Sequence, residues 1–146
     1  MLLKIEGLGI KIKTYRGIVN AVRQVSLEIN EGEMVGLVGE SGCGKSVTAN
    51  AIIGLLPPDI AYADTGRIVF EGRDLLTQTE QEWQKMRGRD IAMVFQDPMT
   101  ALNPVMTIGE QLFEAIKIHE PNNNPEPRAI ELLAEVGIKE PERRLK

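Results

Sequence analysis

Apolar and polar residues alternate along the opening of the chain. In "LLKIEGLGIKIKT" and "AVRQVSLEI" the alternation has the period of a half-buried strand, so two antiparallel strands are predicted around a turn at "YRGIVN". "NEGE" reads as a turn. The pattern then changes: "MVGLV", residues 34–38, is a short unbroken apolar run suited to a strand covered on both faces. From Lys45 to Leu56 the apolar residues of "KSVTANAIIGLL" fit a buried helix, which "PPD" ends because proline cannot continue the hydrogen-bond ladder. "GRIVFEGRDL" returns to strand alternation with a glycine turn inside it. Thr79 and Glu82 have the spacing of a capping box and open a short helix at "EQEWQKMRG". "IAMVF", residues 91–95, is a second candidate for a doubly covered strand, and it runs into "QDPMTALNP", whose residues belong to loops. Thr107 and Glu110 repeat the capping-box spacing before "EQLFEAIKIHE". "PNNNPEP" predicts a solvated connector, "RAIELLAEVG" an amphipathic helix ended by Gly137, and "IKEPERRLK" carries no apolar period.

Composition narrows the class. A chain of 146 residues with 42% apolar and 26% charged content is that of one globular domain rather than a disordered segment. Its formal charge of −4 argues against a nucleic-acid partner gripped through a basic surface. No window has the uninterrupted apolar length of a membrane span, and the opening residues mix charge and glycine, so neither a transmembrane helix nor a signal peptide is expected. The single cysteine, Cys43, leaves no intrachain disulfide and no all-cysteine metal site. Together these features predict a cytoplasmic protein that can still dock onto a membrane partner.

The chemistry concentrates in "GESGCGKS", residues Gly39 to Ser46. It matches G-x-x-x-x-G-K-[ST] and lies between a predicted strand and a predicted helix. A polyphosphate is a dense negative charge, and a chain can wrap it with backbone N–H groups only where side chains do not hold the backbone away. Gly39 and Gly44 supply room and access to positive φ, and Gly42 adds more. The N-terminus of the following helix adds partial positive charge at the same place. Lys45 would then reach the β- and γ-phosphates, and the Ser46 hydroxyl would meet Mg²⁺. Cys43 has no histidine near it in sequence and reads as a small filler of the loop; His119 falls alone at the end of a predicted helix.

"GESGCGKSV" followed at a distance by "VFQDPMTALNP" resembles the ATP-binding subunits of ABC transporters, and more narrowly those of dipeptide, oligopeptide and nickel importers. The resemblance runs from Met1 and includes "AVRQVSLEINEGEMVGLVGESG" and "RAIELLAEVGI". It implies an α/β fold, the N-terminal half of a P-loop ABC ATPase. Residues 1–96 would form an incomplete nucleotide-binding core with an antiparallel β subdomain and part of a parallel sheet. Residues 97–146 would begin a helical subdomain facing the membrane partner.

The resemblance also assigns roles. Gly39, Glu40, Ser41, Gly42, Cys43, Gly44, Lys45 and Ser46 stand where the family has its Walker A loop, with Val47 following on the nucleotide. Gln96 stands where the family has a glutamine that contacts Mg²⁺ or the attacking water, and a neutral amide can serve both. Tyr15 stands close to the place of an aromatic that stacks on adenine. Expected ligands are ATP and Mg²⁺. Expected partners are transmembrane permease subunits and a second ATP-binding subunit, at the cytoplasmic side of the membrane. The loop "DPMTALNP" carries no acid–base constellation and is assigned to docking. Trp83 and Tyr62 are read as packing or surface residues.

The sequence departs from the family pattern as well. It contains no "LSGGQ"-type signature and no run of four apolar residues ending in Asp-Glu, and no histidine stands at the switch position. The expectation is therefore an N-terminal fragment of a transport ATPase that binds ATP but hardly hydrolyses it, marginal or self-associating on its own. A small GTPase is the nearest alternative, but it wants N-K-x-D and D-x-x-G, and "PNNNPEP" and "DTGR" satisfy neither. A nucleotide kinase wants an arginine-bearing lid, and Arg87, Arg89, Arg143 and Arg144 form no evident one. A non-catalytic nucleotide-binding piece is the remaining reading.

Overall fold

The computed structural model describes residues 1–97 and 101–146 and forms two compact units, Met1–Arg87 and Gly88–Lys146. In the first, β1 (Leu3–Thr14) and β2 (Gly17–Ile29) form the predicted antiparallel hairpin. The turn is tighter than expected. Thr14 pairs with Gly17, so only Tyr15 and Arg16 lie outside the ladder, and Gly17 to Asn20 continue β2. Pairing with β1 settles that register, because Ile18 and Val19 are more than half exposed and gain little from burial. β3 (Ala61–Phe70) adds to the other edge of β1, starting five residues earlier than the alternation in "GRIVFEGRDL" suggests. β4 (Arg73–Asp74) completes the order β2-β1-β3-β4.

The sheet buries Ile5, Leu8, Ile10 and Ile68 almost completely; each such side chain contributes about 1.5–3 kcal/mol relative to exposure. Over the sheet lies α1 (Lys45–Ile52), four residues shorter than predicted because the chain turns left-handed at Gly54. A 3₁₀ turn (Leu75–Thr77) leads to α2 (Glu80–Met86), which opens on the predicted capping box: Thr79 Oγ1 accepts from Glu82 N, and Glu82 Oε2 accepts from Thr79 N at 2.7 Å.

On the sheet's charged face, Glu6 stands opposite Arg67, and Lys4 opposite Glu28. Glu6 accepts from Arg67 Nε and forms a 2.8 Å ion pair with Lys4. The hydrogen bond from Arg67, then that from Lys4, holds the Glu6 carboxyl down at about 2. A carboxylate depressed in the folded state stabilises above its unfolded value and loses that contribution as pH falls toward the folded one. Acid unfolding should therefore steepen between the ordinary carboxylate range and about pH 2. Glu6→Gln should flatten that part of a stability–pH curve, and added salt should shrink the difference, since these groups face solvent. An unchanged curve would remove Glu6 from the acid response.

The second unit is helical. α3 (Ile108–His119) opens on the second predicted capping box, Thr107 with Glu110. α4 (Pro125–Glu135) begins inside the expected connector, because Asn124 caps it and Pro125 occupies its first position. Gly137, at φ +79°, follows its end as predicted. The tail is not featureless: α5 (Pro141–Arg144) carries Leu145 into a small core with Ile116 and Ala129, and Gly109 N donates to the Leu145 carbonyl at 2.9 Å.

The two runs predicted as doubly covered strands are not strands. Residues 33–40 and 92–95 pair with no strand among the described residues. Met34, Val38 and Val94 are at least 90% exposed, and Val35, Leu37 and Phe95 lie half open. The physical reason is that such a run becomes a strand only when hydrogen-bonding neighbours flank it, and the described sheet closes on β2 and β4 instead.

Candidate functional site

The predicted phosphate loop leads directly into α1. Gly44 is the N-cap in the left-handed conformation at φ +95°, and it offers no capping side chain, so the first amides of the helix face outward without a competing oxygen. Gly44 sits tightly against β2: a Cβ there would lie 2.6 Å from the Ala21 carbonyl oxygen and 3.2 Å from Val22 Cγ2. Gly42 is also left-handed, at φ +81°. Gly39 is not; a Cβ there would meet only side-chain atoms within 4 Å, first Cys43 Sγ at 2.7 Å, which a turn of the exposed Cys43 side chain relieves.

Lys45 folds back over the loop. Its Nζ donates to the Gly39 carbonyl at 2.8 Å, to the Glu40 carbonyl at 2.7 Å and to Cys43 Sγ at 3.6 Å. The ammonium thus closes the loop into a ring and puts a positive charge at its centre. Thr48, buried beneath, returns its hydroxyl to the Gly44 carbonyl at 3.0 Å and fastens the first turn. Glu40, Ser41, Cys43 and Ser46 are exposed around the rim, and Val47 is half-buried. What this arrangement can do chemically is bind an anion through main-chain amides, a helix N-terminus and one lysine. No group of three or more His, Cys, Asp or Glu that could hold a metal exists among the described residues. The donor set fits Mg²⁺ only as the ion is usually carried on phosphates, with Ser46 giving one neutral oxygen.

The other predicted residues are not part of the loop itself. Tyr15 is 90% exposed at the tip of the β1–β2 hairpin, with the Arg16 guanidinium over its ring at 5.1 Å. β2, which starts beyond that tip, is the strand whose Ala21 and Val22 seat the loop. Gln96 belongs to the second unit and is exposed at a bend. Of the docking loop "DPMTALNP", Pro98, Met99 and Thr100 lie outside the described residues. Sequence reasoning missed Arg87, which holds the far end of α1; its partners, Ile53 and Gly54, are more than thirty residues away in the chain and no motif joins them.

A family model described as ABC transporter matches residues 22–146. The chain belongs to the ABC transporter family. Among curated ABC transporter proteins, it is 47% identical to the dipeptide transport ATP-binding protein DppD of Bacillus subtilis across 99% of its own length and 44% of that protein's. It is equally similar to the oligopeptide transport ATP-binding protein OppD of the same organism, covering 41% of it. The chain thus spans less than half the length of these relatives. Among solved structures, the ATP-binding cassette MJ0796, in a dimeric post-hydrolysis state bound to ADP and Pi, superposes with a TM-score of 0.76 at 26% identity, over 99% of this chain and 60% of that one. The ABC ATPase fold read from the sequence is therefore right, and the chain corresponds to its N-terminal part. Among the described residues no helix is long and apolar enough to cross a membrane.

Proposed function

We propose that this chain is the nucleotide-binding portion of the ATP-binding subunit of a peptide importer, a protein that couples ATP binding and hydrolysis to solute uptake from the cytoplasmic face of the membrane. The observation that carries the reading is the bare loop at the head of α1 with the Lys45 ammonium at its centre. The names of the dipeptide and oligopeptide relatives support the substrate class.

In this reading the amides of Gly39 to Ser46, with Val47, hold the phosphates, and Lys45 neutralises charge on the β- and γ-phosphates. Ser46 and Gln96 supply neutral oxygens toward Mg²⁺, which when bound offsets the remaining phosphate charge. Tyr15 gives the adenine an apolar face. Residues 1–96 serve the nucleotide. Residues 97–146 begin the part that meets the permease, and a second ATP-binding subunit completes the pair, as the dimeric state of MJ0796 suggests. Hydrolysis needs a carboxylate to hold the metal and orient water. The 146 residues hold neither that acidic pair nor the signature motif, so this chain binds ATP without turning it over.

Equilibrium dialysis of the folded chain against labelled Mg-ATP, with GTP as competitor and released phosphate measured in parallel, tests the reading. The expected result is saturable ATP binding, weak competition by GTP and phosphate release at background. A folded chain with no affinity for Mg-ATP, or with preference for GTP, overturns it; turnover above background overturns the non-catalytic part.

A further inference from the structure

The two ends of α1 are held in different ways. The Gly44 end carries the open loop, whereas the other end has no basic residue in its own last turn. The final carbonyls of a helix lack intrahelical donors and form the negative end of its dipole. Arg87 supplies both the donors and the charge. Its Nε donates to the Ile53 carbonyl at 3.0 Å and its Nη2 to the Gly54 carbonyl at 2.6 Å. Nη1 donates to Glu80 Oε1 at 2.8 Å, and the guanidinium lies over the Trp83 ring, 5.2 Å from its centre. Gly54 makes this possible: it is left-handed at φ +66°, and a Cβ there would lie 2.3 Å from Trp83 Cε2. The indole is buried against the chain, and the Arg87 side chain is three-quarters buried.

A helix of eight residues has almost no stability of its own, so packing and its caps decide where its axis points. The loop amides point where that axis points. We propose that Arg87 is a positioning residue for the nucleotide site: by clamping the Ile53–Gly54 end against Trp83 and Glu80, it fixes the tilt of α1 and so aims the amides of the phosphate loop. This rests on the nucleotide-binding reading above and adds to it a route by which the two ends of α1 sense each other. Coupling of this kind is reciprocal. Phosphate held at Gly44 must alter the surroundings of Trp83, which is the protein's sole tryptophan.

The test uses the whole chain and two independent readouts, dialysis for affinity and Trp83 emission for the clamp. With the unmutated protein, the emission should change on adding Mg-ATP, with the midpoint found by dialysis. Arg87→Gln should lose that response and bind Mg-ATP about tenfold more weakly, the size expected for losing charge-assisted hydrogen bonds. Arg87→Lys keeps the charge without the planar fork and should fall between. Should Arg87→Gln fail to fold, judged by circular dichroism, Arg87→Lys and Glu80→Gln carry the same comparison. Wild-type affinity in a less stable Arg87→Gln would show a merely structural role and overturn the proposal, as would ATP binding by the unmutated chain with silent Trp83 emission. Absence of binding by the unmutated chain is the separate failure of the nucleotide reading, and the positioning role falls with it.

Discussion

Lys45→Ala is expected to lower Mg-ATP affinity by about two orders of magnitude, or about 3 kcal/mol, and to leave the fold in place. Binding should suffer because Lys45 carries the one full positive charge among the residues from Gly39 to Ser46, whose other attraction for an anion comes from partial charges on amides and the helix terminus. The fold does not suffer, because the carbonyls of Gly39 and Glu40 that Lys45 bridges are exposed and water replaces the lost donor. Lys45→Arg is expected to recover little. A guanidinium is broader and planar and spreads its charge over three nitrogens, whereas a single Lys45 nitrogen meets the Gly39 and Glu40 carbonyls at 2.8 and 2.7 Å together. Dialysis gives the affinities, and thermal unfolding shows whether the variants remain native. Unchanged affinity in a native Lys45→Ala would take the lysine out of the site.

Features determined by neighbours in the chain could be read from the sequence. The capping boxes at Thr79 and Thr107 satisfy their own first turns, and the loop from Gly39 to Ser46 is announced by its own glycines, its lysine and the helix behind it. Features determined by distant partners could not. The β1–β2 turn was expected to be wider because Gly17 to Asn20 look like loop residues alone, yet pairing with Lys11 to Thr14 extends the ladder through them. "MVGLV" and "IAMVF" carry the pattern of burial on both faces, but pattern expresses only what a segment can pair with, and neither is assigned to a strand among the described residues. Arg87 shows the same limit at the site. Nothing near "KMRGRD" announces that its guanidinium caps a helix from the other side of a glycine and a tryptophan.

Gly44→Ala is expected to cost about 3 kcal/mol of stability and to remove measurable Mg-ATP binding. A residue with a Cβ pays about 1–2 kcal/mol to adopt the left-handed conformation that Gly44 holds at φ +95°. The rest comes from overlap. The added carbon would lie 2.6 Å from the Ala21 carbonyl oxygen, a main-chain atom of β2, and 3.2 Å from Val22 Cγ2. Neither can yield easily, because Val22 is buried and paired with Ile10 in the sheet. The head of α1 must therefore lift off β2, which would misdirect the amides proposed to hold phosphate. Gly42→Ala separates the two effects: at φ +81° it meets nothing within 4 Å, so it should cost only the conformational share, about 1 kcal/mol, and weaken binding less. Urea unfolding followed by Trp83 emission measures both. Equal losses at the two positions would mean that contact with β2 does not set the loop, and the seat of the phosphate site would have to be sought elsewhere on α1.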